Sequence, residues 1–194
     1  MVPAKRARPS LSPKRGLSPV PPLRVWWPPD FDHKARALAD APVRQRIGNL
    51  FSSHGVEAER LMLEGFTDSP AKHLAAYNRV DIALDPFPYS GGTITVEALW
   101  MGVPVLTLKG DRYTAHIGES LLHTVGLDEW VAESQQDYVA KAATFTSDVD
   151  ALTTLRGDLR GRLLASPLCD APRFARNLED AFRGMWRAWC ESQI

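Results

Sequence analysis

No stretch of this chain approaches the roughly 20 consecutive apolar residues that a helix needs to cross a bilayer, and its first residues lack the compact apolar core of a secretory signal. These absences read as a cytoplasmic protein with no membrane partner. Cysteine is scarce: Cys169 and Cys190 have no metal-type spacing and read as reduced thiols. Net charge is lacking too, since 23 basic residues face 23 acidic ones, and without a basic footprint nucleic acid is not the expected partner. No internal repeat recurs at a period of about 34 residues, which excludes a common kind of helical array. Neither a metal-ligand cluster nor a Ser/His/Asp nucleophile arrangement can be read from the spacing, so no cofactor is expected. Asp81, Asp85 and Asp111 read as strand-end and turn residues rather than as a cation site.

What is present is unevenly spread. Residues 1–29 carry prolines at 3, 9, 13, 19, 21, 22, 28 and 29, with Lys5, Arg6, Arg8, Lys14, Arg15 and Arg24 and no acidic residue. Such a segment cannot sustain a helix or a packed strand pair, so residues 1–33 are expected to be a disordered, solvated tail. Within it, Arg24-Val25-Trp26-Trp27 has the composition of a short edge strand that Pro28-Pro29 would stop. The remaining residues, 34–194, are expected to form one globular unit. The whole chain has 194 residues, of which 44% are hydrophobic, enough for a sizeable core.

The most informative stretch is residues 85–104, Asp-Pro-Phe-Pro-Tyr-Ser-Gly-Gly-Thr-Ile-Thr-Val-Glu-Ala-Leu-Trp-Met-Gly-Val-Pro. An apolar run, Val80-Asp81-Ile82-Ala83-Leu84, leads through Ser90-Gly91-Gly92 into a helix that begins at Thr93. Glycine lets backbone come close to a ligand, and the free N–H groups of a helix start attract anions. Thr93 and Thr95 can add hydroxyl donors, and Glu97, one helical turn after Thr93, can accept from a pair of ribose hydroxyls. That division of labour suits a nucleoside diphosphate. The same residues also have a purely structural reading: hydroxyl residues cap helices, and a carboxylate in the first turn favours the helix dipole.

Around this run the pattern alternates. Helical spacing over 42–54 ends at Gly55, an apolar strand is expected at 60–65, and Ser69 before Pro70 starts a helix to about residue 78. Strand 81–85, helix 93–101, strand 103–108, helix 115–125 and strand 130–132 follow, then helices near 136–145, 149–164 and 171–190. Alternation of this kind predicts an α/β fold, a Rossmann-like parallel sheet with flanking helices. In the last helix Phe174, Leu178, Phe182, Met185, Trp186 and Trp189 recur at helical spacing, a stripe for a core or a docking surface.

From about Arg44 to Trp189 the chain resembles the C-terminal catalytic half of the SPINDLY-like O-linked N-acetylglucosamine transferases, glycosyltransferase family 41. The resemblance rests on Asp81-Ile82-Ala83-Leu84-Asp85-Pro86-Phe87-Pro88-Tyr89-Ser90-Gly91-Gly92-Thr93, then on Glu97-Ala98-Leu99-Trp100-Met101-Gly102-Val103-Pro104-Val105-Leu106-Thr107-Leu108. Ser120-Leu121-Leu122, Ser166-Pro167-Leu168 and Met185-Trp186 add to it. It implies the donor-binding lobe of a two-lobed GT-B enzyme, with UDP-N-acetylglucosamine as donor and Ser or Thr hydroxyls of an unknown protein as acceptors. By position it assigns the diphosphate to Gly91, Gly92, Thr93 and Thr95, the ribose to Glu97, and the neighbourhood of the uracil to His73. Another two-lobed nucleotide-sugar enzyme, such as a glycogen-synthase-like transferase or an epimerase, is the less specific competitor.

Two positions depart from the family pattern. Ile94 stands where a second Thr is common, and His116 where Arg is frequent, which removes a hydroxyl and a fixed positive charge from near the diphosphate. No match to an N-terminal catalytic half precedes the family-like text, so the expectation is a truncated or reading-frame-altered product, or a fragment whose other lobe is a separate chain. The alternative function is a UDP-sugar-binding remnant or interaction module without turnover.

Overall fold

The computed structural model describes residues 38–65 and 67–193. The tail 1–33, including the edge strand expected at Arg24-Val25-Trp26-Trp27, lies outside the described residues.

Three short strands form a parallel sheet in the order β1-β2-β3: β1 (Ala83–Leu84), β2 (Val105–Leu108) and β3 (Val131–Ala132). Ala83 aligns with Val105 and Leu84 with Leu106, while Thr107 aligns with Val131 and Leu108 with Ala132. Seven helices surround and follow the sheet among the described residues: α1 (Ala41–Ser53), α2 (Pro70–Ala76), α3 (Thr93–Trp100), α4 (His116–Thr124), α5 (Gln135–Ser147), α6 (Val149–Ala165) and α7 (Ala171–Glu191). α3 carries the chain from β1 to β2 and α4 from β2 to β3, the crossover that parallel neighbours require.

Local chemistry sets the boundaries. Ser69, Ser134, Asp148 and Asp170 each accept a backbone N–H of the first turn of α2, α5, α6 and α7. Gly55, Gly102 and Gly126 take positive φ at the turns after α1, α3 and α4, where a side chain would be strained. The core gathers Leu99, Val103, Val105, Leu106, Leu122, Leu127, Trp130, Leu159 and Leu163, with Trp130 stacked on Phe145 at 4.1 Å. α6 is also strapped to the loops: Arg156 donates to the carbonyls of Val80 and Asp81, Arg160 to Trp100 and Arg162 to Gly126.

Residues 60–65 are not the expected strand. A 3-10 turn spans Ala58–Arg60, and residues 61–65 follow without regular structure. Apolar content does not suffice for a strand, which needs a partner for its backbone groups, and among the described residues β1 pairs only with β2. The side chains here are held instead by Arg79, whose guanidinium grips the Glu64 carboxylate with both nitrogens and touches Met62 Sδ at 3.7 Å. The helix expected to reach residue 78 stops at Ala76 and tightens into a 3-10 turn over Tyr77–Arg79.

α7 stands apart. None of its residues is buried among the described residues, and Phe174, Leu178, Phe182, Met185, Trp186 and Trp189 are all exposed, the last two stacked at 5.1 Å. Of the two roles expected for this stripe, core is excluded within the described residues. No helix there is long and apolar enough to cross a membrane.

Candidate nucleotide-sugar site

The candidate site lies beyond the C-terminal end of β1, in the loop that enters α3, where open α/β sheets place their ligands. The loop is fixed from below by Asp85, only 5% exposed. Its Oδ1 accepts the Gly91 N–H at 2.7 Å and its Oδ2 the Thr107 hydroxyl of β2 at 2.7 Å. Burial pushes this carboxyl up to about 6, although both hydrogen bonds act in the opposite direction. The Tyr138 hydroxyl donates to the Asp85 carbonyl at 3.0 Å, and its ring meets Phe87 edge-on at 5.6 Å. Burial and the nearby Asp85 charge both raise the Tyr138 phenol, which keeps it a donor.

A second latch joins this loop to the one after β2. Ser90 Oγ donates to the Thr114 carbonyl at 2.8 Å and accepts the Gly118 N–H at 3.0 Å. Gly118 is indispensable at this contact, because a Cβ there would lie 2.6 Å from Thr107 Oγ1 and 2.7 Å from Asp85 Oδ2.

The expected site residues divide into three groups. Gly92 is the N-cap of α3 and offers no side-chain cap, in contrast to α2, α5, α6 and α7. The first-turn N–H groups at Thr93 and Ile94 therefore form the anion-attracting end, with the Thr93 side chain exposed. Gly91 and Thr95 face inward: the Gly91 N–H is committed to Asp85, and the buried Thr95 hydroxyl donates to the Gly91 carbonyl at 3.0 Å. A Cβ at Gly91 would sit 2.9 Å from that hydroxyl, so this glycine keeps the turn compact. His73 and Glu97, 24 residues apart, are brought into contact, Nε2 to Oε2 at 2.9 Å.

His116 opens α4, with Nδ1 2.5 Å from Glu119 Oε2. Glu119 also lies 3.4 Å from Lys109 Nζ and 3.6 Å from His123 Nε2. Burial raises its carboxyl, but hydrogen bonds from His116 and Lys109 outweigh that and leave it below its ordinary value. Among the described residues no three His, Cys, Asp or Glu side chains gather in a metal-binding group.

Sequence reasoning did not single out Ser90, Thr107 and Gly118, and it read Asp85 as an ordinary turn residue. Only the Asp85-Pro86 strand end hinted at a role, since the partners lie 22 to 28 residues away.

A parallel sheet, a glycine turn after its first strand and an uncapped helix start with a carboxylate one turn on define a Rossmann-like lobe of GT-B glycosyltransferase type. A mutant of the Thermobaculum terrenum O-GlcNAc transferase superposes with a TM-score of 0.74 at 40% identity, covering 81% of this chain and 30% of that one. The model of glycosyl transferase family 41 matches residues 40–178, and the chain belongs to that family. The probable UDP-N-acetylglucosamine–peptide N-acetylglucosaminyltransferase SPINDLY of Solanum lycopersicum is 42% identical over 161 residues, which are 83% of this chain. The UDP-N-acetylglucosamine–peptide N-acetylglucosaminyltransferase of Caenorhabditis elegans is 27% identical over 137 residues, 70% of this chain. The chain spans 17% of the length of the tomato relative and 12% of that of the nematode one.

Proposed function

We propose that residues 34–194 form the donor-binding lobe of a protein O-N-acetylglucosaminyltransferase, which binds UDP-N-acetylglucosamine and transfers the sugar to Ser or Thr hydroxyls with inversion at the anomeric carbon. The observation that carries this reading is the uncapped start of α3 with Glu97 one turn further on. The names of the relatives, which specify that donor and a peptide acceptor, support it. The N–H groups at Gly92, Thr93 and Ile94 would offset the charge that develops on the departing diphosphate. Glu97 would hold the ribose, with His73 beside it. The scheme needs no metal. Reduced Cys169 and Cys190 suit the cytoplasm as the compartment.

Calorimetric titration with UDP tests the site. Glu97→Ala is expected to weaken UDP about 10- to 100-fold, the loss of a hydrogen-bonded charge worth ~1.5–3 kcal/mol. Equal affinity of wild type and variant would remove Glu97 from the site. A second reading is a UDP-sugar-binding module without turnover. UDP release from UDP-N-acetylglucosamine, alone and with an acceptor peptide, separates the two, because binding without release supports the module.

A further inference from the structure

We propose that Asp85 couples donor binding to a proton: the lobe takes up a proton at this carboxyl when the diphosphate of a UDP-sugar settles on the start of α3. The inference rests on the reading of that helix start as the diphosphate site and deepens it.

The geometry sets two anions on one turn. Asp85 lies behind the turn, with Oδ1 2.7 Å from the Gly91 nitrogen, and the diphosphate would lie in front of it, on the N–H groups of Gly92, Thr93 and Ile94. The carboxylate is held by neutral donors alone, the Gly91 N–H and the Thr107 hydroxyl, and among the described residues no cation offsets its charge. The helices packed over it bring none. On α4, Gly118 faces Oδ2 with a bare Cα, while His116 pairs with Glu119, and Glu119 lies 3.4 Å from Lys109 Nζ of the loop after β2. α5 contributes the Tyr138 phenol, which donates to the Asp85 backbone carbonyl. At 5% exposure, water screens Asp85 little from a neighbouring anion.

Like charges that share a site push protons onto whichever group can accept one. The two phosphates of a UDP-sugar each keep a single charge across the range in which carboxyls titrate, so Asp85 yields. Its protonated form keeps the loop in shape, because Oδ1 still accepts the Gly91 N–H and Oδ2–H can donate to Thr107 Oγ1. Burial already lifts this carboxyl to about 6 in the free protein, and a further rise brings the uptake into the neutral range. A carboxyl that holds its proton more tightly in the complex makes donor affinity highest below the free value and lets it decrease as pH rises through the bound one.

The test is calorimetric titration of the full chain with UDP-N-acetylglucosamine in buffers of different ionisation enthalpy, which counts protons directly. UDP itself is unsuitable, since its terminal phosphate titrates at about 6. Wild type is expected to take up about half a proton per ligand at about pH 6.5 and to bind about five- to tenfold more tightly at pH 5 than at pH 8. Asp85→Asn is expected to take up almost none and to bind with nearly equal affinity at both pH values. His73→Gln removes an imidazole, the side chain that ordinarily titrates near neutrality, and is expected to keep the uptake. Circular dichroism checks folding, and wild type with His73→Gln carries the test should Asp85→Asn not fold. Binding without proton uptake, uptake that survives Asp85→Asn, or uptake lost in His73→Gln would overturn the coupling and leave the donor site standing. No binding of UDP-N-acetylglucosamine at either pH would instead overturn the reading of the helix start, and this inference with it.

Discussion

Gly118→Ala is expected to lower the stability of the chain by about 3 kcal/mol or more and to weaken UDP binding with it, because this glycine sits where the two site loops meet. A Cβ there would lie 2.6 Å from Thr107 Oγ1, 2.7 Å from Asp85 Oδ2 and 3.2 Å from Thr107 Cβ. None of these atoms can withdraw cheaply. Thr107 is fully buried in β2, and Asp85 is held between Thr107 and the Gly91 N–H. Room for one methyl group therefore means parting Asp85 from Thr107, which leaves a buried carboxylate short of a donor. The Gly118 N–H to Ser90 would be strained as well, loosening the loop that enters α3. Urea denaturation reads the change as a lowered midpoint with an unaltered slope. Gly157→Ala is the matched control: its added methyl would meet nothing within 4 Å on the exposed side of α6, so a gain of up to about 1 kcal/mol is expected there. An unshifted midpoint for Gly118→Ala would show that the Asp85 contacts are not rigid.

Asp85→Asn is expected to flatten the stability of the chain between about pH 4 and pH 6. Burial lifts the Asp85 carboxyl from 3.8 to about 6 in the folded protein. A carboxyl raised on folding binds its proton more tightly in the native state. Its contribution is therefore fully present below the unfolded value, diminishes as pH rises through the window from 3.8 to about 6, and is level above it. A difference of about two units corresponds to roughly 2–3 kcal/mol across that window. Asparagine keeps an acceptor for the Gly91 N–H and a donor for Thr107 Oγ1, but it has no charge to desolvate. Urea midpoints measured from pH 4 to 7 should show wild type losing stability relative to the variant as pH rises. Parallel curves would mean that the Asp85 carboxyl titrates alike in the folded and the unfolded chain, with its two hydrogen bonds offsetting its burial.

The fold was legible in the sequence where the signal is local. Gly55 and Gly126, the hydroxyl caps Ser69 and Ser134, and the alternation of apolar runs with helical spacing placed α1 to α6 within a few residues. The strand expected at residues 60–65 shows the limit of that signal, because a strand is defined by its neighbour and no periodicity reports whether one exists. The site divides similarly. The helix start at Gly92 and Thr93, and Glu97 on the same helix, follow from spacing alone, whereas the contact of Glu97 with His73 does not. Thr95 shows what spacing leaves out. Its hydroxyl belongs to the right residue type in the right turn, yet the helix rotation turns it inward to the Gly91 carbonyl. The latches through Asp85 and Ser90 were invisible because each depends on how β2 and α4 dock against the loop.

The bare flank of α7 divides the chain into two regimes of motion. A helix of 21 residues that buries no side chain among the described residues rests on its own hydrogen bonds and its Asp170 cap, and isolated helices of that length stand near the balance between helix and coil in water. Its amides can open by fraying on the microsecond scale of helix–coil exchange, without disturbing the sheet. The amides of β2, whose Val105, Leu106 and Thr107 are buried, are expected to open only with the whole body. Asp85, Ser90 and Thr107 belong to that slower regime, so the shape of the donor loop is decoupled from whatever the last helix does.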